Sequence, residues 1–390
     1  MTPVSQYVFD GARWRNEVTT RRTSATAATM LTTTWRDVHL NGPEYGLDDP
    51  TAATQSFSQN RRGSYDTDYH YESQPSLSYL AARGVRRVKI PIRWERINPV
   101  LGGALDATEL GRLRACLDRC HAAGLKVLVD IHNYGVYYVD DPAVSGTSGT
   151  RRALGSTSVP VAAFSSLWKL LATALRAHPA VANGGGYAIM AEPQGAGGLT
   201  RATWRTASQA AVTAIRGVDL ASVIHVAGWD WSICQDWASV NGTPWITDPA
   251  HNFRYECHHY WDATTGGSYD ASYARELATA QAGYSRGGYV DALQNRILTE
   301  LSSYASWLST YGVRGIVGEL GWPAAEAPAQ WNALAEVYLR RCDELKIDTV
   351  FWSAGEWAYG GPADMLVYTG SPLSTRNTQA PVYEAHRTFG

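Results

Sequence analysis

The stretch YAIMAEPQG, Tyr187 to Gly195, decides how this sequence is read. Apolar and aromatic residues lead without interruption to one carboxylate, Glu192, and Pro193 then blocks any regular continuation. A short apolar run closed by a turn signal fits a strand covered on both faces, the kind found in parallel sheets. Working outward, seven more segments fit strands: Asp37–Asn41, Val85–Ile92, Lys126–His132, Ser222–Ala227, Phe253–His259, Gly315–Glu319 and Thr349–Ser353. Between them lie segments with apolar residues at helical spacing, among them Ala107–Ala123, Ala163–His178, Arg201–Val218, Asp291–Tyr311 and Pro328–Lys346. The alternation predicts a parallel sheet with crossover helices, and eight such units predict a closed α/β fold, the (β/α)8 TIM barrel. A doubly wound open sheet is the alternative, weakened because no glycine-rich phosphate turn follows the first strand.

At 390 residues the chain has room for a barrel of roughly 250 residues with insertions. Net charge is −2, which gives no reason to expect nucleic acid or a membrane surface as partner. There are 15 Trp and 22 Tyr against only 6 Phe, a bias toward rings with a polar edge that suits stacking on sugar rings. The five cysteines, Cys116, Cys120, Cys234, Cys257 and Cys342, are an odd number at scattered spacing and form neither a disulfide framework nor a zinc signature. With no HExxH either, no metal or cofactor is expected.

In such a barrel the chemistry gathers at the C-terminal ends of the strands. Those positions here hold Lys89 and Trp94, His132 with Asn133 and Tyr134, Glu192, Trp229 with Asp230 and Trp231, His258 and Tyr260, Glu319, and Trp352. Glu192 and Glu319, ending the fourth and seventh strands, would face each other across the mouth. Two carboxyls about 5 Å apart are the equipment of retaining glycoside hydrolysis: one attacks the anomeric carbon while the other protonates the leaving oxygen and later activates water.

The segments DVHLNGPEYG, GVRRVKIPIRWERINP, VLVDIHNYG, YAIMAEPQ, YECHHYWD, IVGELGWP and FWSAGEW, in that order, resemble glycoside hydrolase family 5, the cellulases and related β-glycanases, from about Asp37 to Trp357. The resemblance implies a (β/α)8 barrel, retention of configuration, a polysaccharide substrate and no cofactor. It implies Glu192 as acid/base, Glu319 as nucleophile, Tyr260 as a hydrogen-bond donor to the nucleophile, His258 as a partner of Glu192, His132 as the histidine after the third strand, and Trp352 as the aromatic floor beneath the sugar. Lys89, Asn133, Tyr134, Trp229, Trp231, Trp261, Trp322 and Trp357 complete the candidate substrate-binding set, with Trp94, Tyr137, Tyr138 and Tyr359 as further aromatics near the mouth.

Two positions depart from the family pattern. Ala191 stands where the family has an asparagine that donates to the sugar 2-hydroxyl, and Lys89 stands where it has an arginine beside the nucleophile. Lysine keeps the charge but loses the planar fork. Three outcomes are open: an adapted specificity, a weak hydrolase of a familiar β-glucan, or a barrel kept for sugar binding. Aromatic rings in line would suit endo-action, whereas the insertions Asp140–Val159 and Trp261–Gln294 could close one end and favour exo-action. Residues 1–35, Thr-, Ala- and Ser-rich after a short aromatic patch, are expected to form an arm or linker ahead of a catalytic domain at 36–390. The opening MTPVSQYVFDGARWRN lacks the charged and apolar regions of a signal peptide, and no apolar run is long enough to span a bilayer. A polysaccharide hydrolase works outside the cell, so the expectation is either a secreted protein whose signal has been removed or a component of a phage particle attached to a larger assembly through the arm.

Overall fold

A computed structural model of the chain describes residues 4–9, 14–19, 35–46, 52–140, 149–182, 184–283, 292–357 and 365–386. Eight strands form the barrel: β1 (Arg36–Leu40), β2 (Arg87–Ile92), β3 (Lys126–Ile131), β4 (Gly186–Ala188), β5 (Val223–Ala227), β6 (Phe253–His258), β7 (Gly315–Leu320) and β8 (Asp348–Ala354). Each pairs in parallel with the next, and β8 pairs with both β7 and β1, so the sheet closes. Every residue of β1, β2 and β5 is buried, because helices cover the outside and packed side chains fill the inside.

The predicted strands and helices agree with these bounds to within a few residues at either end. The fourth strand is shorter than expected, yet the chain beyond it stays tied to the sheet: Ile189 donates to the His225 carbonyl and Ala191 to that of Ile131. Gly186 is required where β4 meets β5, since a Cβ there would lie 2.0 Å from the Val223 carbonyl oxygen. Caps explain two of the helix starts. Asp106 accepts the Glu109 amide ahead of Ala107–Ala122, and Thr200 accepts the Thr203 amide ahead of Arg201–Arg216. Unexpected elements include the helices Gln74–Ala82 and Tyr273–Ala282 and a small sheet of Thr54–Gln55, Val136–Asp140 and Gly149–Ala153.

Within the segment expected as an arm, Val4–Phe9 pairs antiparallel with Trp14–Thr19 in a two-stranded sheet that shares no strand with the barrel. The rest of that segment up to residue 34 lies outside the described residues, as does Tyr359. So do residues 141–148 and 284–291 of the two insertions. All five cysteines are free and buried. No helix among the described residues is long and apolar enough to cross a membrane.

Gly186→Ala is expected to destabilise the barrel by about 1–3 kcal/mol, because the β4–β5 pairing must open to admit the methyl group. Urea unfolding of the purified variant measures it, and an unchanged midpoint would contradict the packing described.

Candidate active site

Strand period and one irregularity bring four side chains together. Register between β6 and β7 shifts between Cys257 and His258, which sets His258 opposite Glu319 instead of Gly318. The His258 Nδ1 edge then lies 2.8 Å from Glu192 Oε1 and 3.4 Å from Glu319 Oε2. Tyr260 donates its hydroxyl to Glu319 Oε2 at 3.0 Å. One ligand atom from each of Glu192, His258 and Glu319 lies within 4.8 Å of the other two. Glu192 keeps 17% of its side chain exposed against 4% for Glu319, so the acid/base candidate faces the cleft and the nucleophile candidate sits deeper. Glu192 holds a left-handed backbone, φ 45°, as do Tyr134 at 56° and Asp230, Trp231 and Ser232 at 59–60°. Such conformations cost about 1–3 kcal/mol each and gather here, at the mouth.

Beneath this group lies a residue that the sequence reading passed over. Glu256 is 1% exposed and accepts from Lys89 Nζ at 2.8 Å, His225 Nδ1 at 3.0 Å and His258 Nε2 at 3.1 Å. Burial alone would raise its pKa, but Lys89 and the two histidines pull it well below the usual carboxylate range. Gly318 makes room for it, since a Cβ there would fall 2.2 Å from the Glu256 side chain. The signal was present in YECHHYWD: with side chains alternating along a strand, Glu256 and His258 face the same interior.

Both His258 nitrogens thus face carboxylates, which makes the ring an imidazolium. Burial opposes that charge, but Glu319, Glu192 and Glu256 overcome it and lift the pKa to about 10. Burial pushes Glu319 up to about 8; the His258 charge pulls it down, the Glu192 charge pushes it up, and Lys89 pulls it down. Lys89 Nζ is 3.9 Å from Glu319 Oε1, which is buried without a hydrogen-bond partner. An imidazolium has no lone pair for a metal, so the Glu192–His258–Glu319 cluster is a proton-sharing group by its donor chemistry. A second cluster, His39, Asp130 and His132, has the Lys89 ammonium 3.9 Å from Asp130 as its cation.

The remaining expectations divide. His132 gives its Nδ1 edge to Asp130 at 2.9 Å and its Nε2 edge to the Tyr134 hydroxyl at 3.1 Å. Burial keeps its pKa below the ordinary histidine value, so the ring is neutral. The Trp352 ring, partly exposed, lies 5.7 Å from that of His132 and nearly parallel to it. Trp229, Trp231 and Trp357 are also partly exposed, with Trp231 5.9 Å from Tyr134 and Trp357 stacked 5.2 Å from His70.

Four substrate-binding expectations need correction. Trp261 and Trp322 are fully buried and stacked on each other at 5.4 Å, because the chain after β6 and β7 folds them under the helix Pro328–Leu345. Asn133 is buried, bonded to the Trp94 amide and Glu95, and holds the β2 and β3 ends together. Lys89 is fully buried, with Glu256 as its nearest carboxylate, and reaches no surface that a substrate could touch. Trp94, Tyr137 and Tyr138 are core residues as well.

The chain matches the model of the cellulase family, glycosyl hydrolase family 5, over residues 47–357. It is 24% identical to endoglucanase EG-II of Hypocrea jecorina, over 76% of this chain and 62% of that protein. It is 23% identical to endo-beta-1,4-glucanase B of Emericella nidulans, over 80% and 84% respectively. Among solved structures it is similar to endoglucanase Cel5A of Pseudomonas stutzeri, at 26% identity and a TM-score of 0.72 over 91% of this chain and 94% of that one. The same enzyme in complex with cellobiose gives 27% identity and a TM-score of 0.69, over 91% and 92%.

Glu256→Gln removes one of the three carboxylates around His258, so the histidine pKa should fall from about 10 and the ring should lose its proton at lower pH. Nitrogen chemical shifts of the His258 ring against pH read this directly, and a titration unchanged from wild type would contradict the assigned role. Trp322→Phe should lower the melting temperature while leaving KM for any glycan unchanged, as expected of a core ring.

Proposed function

Because the chain belongs to glycosyl hydrolase family 5, we propose that it is a retaining, endo-acting glycoside hydrolase of β-1,4-glucan, working through Glu319 and Glu192. The observation that carries this reading is the pair of carboxylates bridged by one imidazolium edge, with a tyrosine hydroxyl on the deeper of the two. The names of the relatives support β-1,4-glucan as substrate and internal cleavage as mode. Partly exposed rings at the ends of β5 and β8, Trp229 and Trp231 on one side and Trp352 and Trp357 on the other, support an extended cleft. A polymer of this kind cannot enter a cell, so the enzyme acts outside it. Residues 36–390 form the catalytic domain, with 1–35 as an arm that carries the short hairpin.

In the first step Glu319 attacks the anomeric carbon as a carboxylate while Glu192 gives its proton to the departing glycosidic oxygen, leaving a glycosyl ester on Glu319. In the second, Glu192 takes a proton from water, the hydroxide oxygen displaces Glu319 from the anomeric carbon, and both carboxyls return to their starting states. Tyr260 holds Glu319 Oε2 in place throughout. His258 holds the two carboxylates at one spacing and offsets the repulsion between them. Trp352 offers the apolar face over which the distorted sugar ring can sit.

Ala191 is fully buried beside Glu192 and carries no donor for the sugar 2-hydroxyl. The transition-state stabilisation supplied by such a hydrogen bond must therefore come from elsewhere or be forgone.

Release of reducing ends from a soluble β-1,4-glucan tests the reading. Wild type should release them, Glu319→Gln should abolish release, and Glu192→Gln should lower it about 10²–10⁴-fold; binding without release by all three would overturn it. The Glu192 charge helps to raise the Glu319 pKa, so in Glu192→Gln the nucleophile should ionise at lower pH. With an aryl cellobioside, whose leaving group needs no proton, the acid limb of kcat/KM should move down, and an unmoved limb would contradict the coupling. Ala191→Asn is expected to raise kcat on β-1,4-glucan roughly tenfold or more by restoring a donor; a fall would show that the alanine serves the natural substrate.

A further inference from the structure

A cavity of about 820 Å³ opens at the end of the barrel opposite the carboxylate pair, where the strands begin. Its lining includes Trp35, just before β1, His225, Arg254, the second residue of β6, Arg314, just before β7, Lys346 and Asp348, which opens β8. Arg254 and Arg314 come from adjacent strands, tied by the Tyr255 amide bonding the Arg314 carbonyl at 2.9 Å. Arg254 is also the register partner of His225 on β5.

Three cations near this end are matched. Arg87 meets Asp37 at 2.6 Å, Arg216 meets Asp248 at 2.7 Å, and Arg36 is paired with Asp343. Arg254, Arg314 and Lys346 differ, because among the described residues no carboxylate lies within ion-pair distance of any of them. Arg254 makes one side-chain hydrogen bond, to the neighbouring Phe253 carbonyl. Of the two carboxylates in the lining, Glu344 is paired with Arg341 at 2.7 Å, and Asp348 accepts the Trp35 amide at 2.8 Å. Burial, with Arg314 as the next cause, lowers the Arg254 pKa to about 10, and the opposing charge of Asp348 offsets this only in part. A partly buried charge without a partner is unfavourable, and an oxyanion placed against it removes the penalty.

We propose that this cavity binds a small organic anion, a sugar phosphate or a sugar acid, with Arg254 and Arg314 gripping its oxyanion and Lys346 at the rim. Guanidinium forks match phosphate and carboxylate oxygens in pairs, which two arginines on neighbouring strands are placed to use. The Trp35 indole, already carrying the Arg87 guanidinium 4.7 Å from its ring centre, adds the aromatic wall that a sugar ring favours. The volume falls in the range of small-molecule sites, about 300–1,000 Å³. This assignment rests on the base of the barrel alone and does not depend on the reaction proposed at the mouth.

Calorimetric titration of the full chain at fixed ionic strength, with glucose 6-phosphate, glucuronate, inorganic phosphate and neutral glucose, tests it. Glucose 6-phosphate or glucuronate should bind more tightly than inorganic phosphate, and whichever binds better names the anion as phosphate or carboxylate. Glucose should not bind. Arg314→Gln, a substitution at an exposed side chain that leaves the fold undisturbed, should weaken binding roughly tenfold or more, and Arg254→Gln likewise. Glu319→Gln should leave it unchanged, since the nucleophile is at the other end of the barrel. Affinity retained in both arginine variants, matched by glucose or inorganic phosphate, or lost in Glu319→Gln would overturn the proposal.

Discussion

The constraint on which the centre of this barrel depends is that Glu256 is a carboxylate with almost no access to water. A bare charge in that position is strongly unfavourable, and it is tolerated because Lys89, His225 and His258 all point at it. Three strands, β2, β5 and β6, are thereby tied across the interior by ionic contacts and hydrogen bonds to one carboxylate. Their geometry fixes His258 in one orientation, which in turn sets the spacing of Glu192 and Glu319. Gly318 and the register shift before His258 belong to the same arrangement: one clears space for the Glu256 side chain, the other aims the imidazole. Removing one partner would leave the others as uncompensated buried charges, a loss of about 3–5 kcal/mol in comparable sites.

Seen this way, the lysine at position 89 is more than a change of cation. An arginine has a planar fork that can meet two acceptors at once, whereas an ammonium is a point charge that settles on its nearest partner. Here that partner is Glu256, and Glu319 is left at 3.9 Å with one oxygen buried and unbonded. That nucleophile candidate is therefore less stabilised as an anion, which fits the direction in which burial moves its pKa. Ala191 acts on the same centre from above, where it withdraws a donor from the cleft. Both departures leave fewer hydrogen-bond donors around the two candidate carboxylates while the ionic framework beneath them stays intact.

Much of the fold was legible because burial on both faces leaves an unmistakable sequence trace. Parallel barrel strands read as uninterrupted apolar runs, and the polar residue that ends each run marks the mouth. The pairing of Glu192 with Glu319 followed from counting strands, since the fourth and seventh ends of a closed barrel approach one another. What failed was the assignment of aromatic side chains. Trp261 and Trp322 follow strand ends as closely as Trp231 and Trp357 do, yet the first two are core and the last two keep exposed faces. Asn133 was misplaced in the same way: its position next to His132 suggested substrate, and its bonds to Trp94 and Glu95 show a brace between strands.

The amino-acid sequence by itself determined the eight-unit barrel, the two glutamates at its mouth, the histidine and tyrosine beside them and the two departures at 89 and 191. Local periodicity and residue chemistry encode all of these. Only the tertiary structure decided which rings are buried, that Lys89 serves Glu256 before Glu319, and that Arg254 and Arg314 share one cavity with no carboxylate within ion-pair distance of either among the described residues. Those outcomes depend on distances between strands far apart in the chain and on which loop covers which face. Periodicity within a strand carries no information about either.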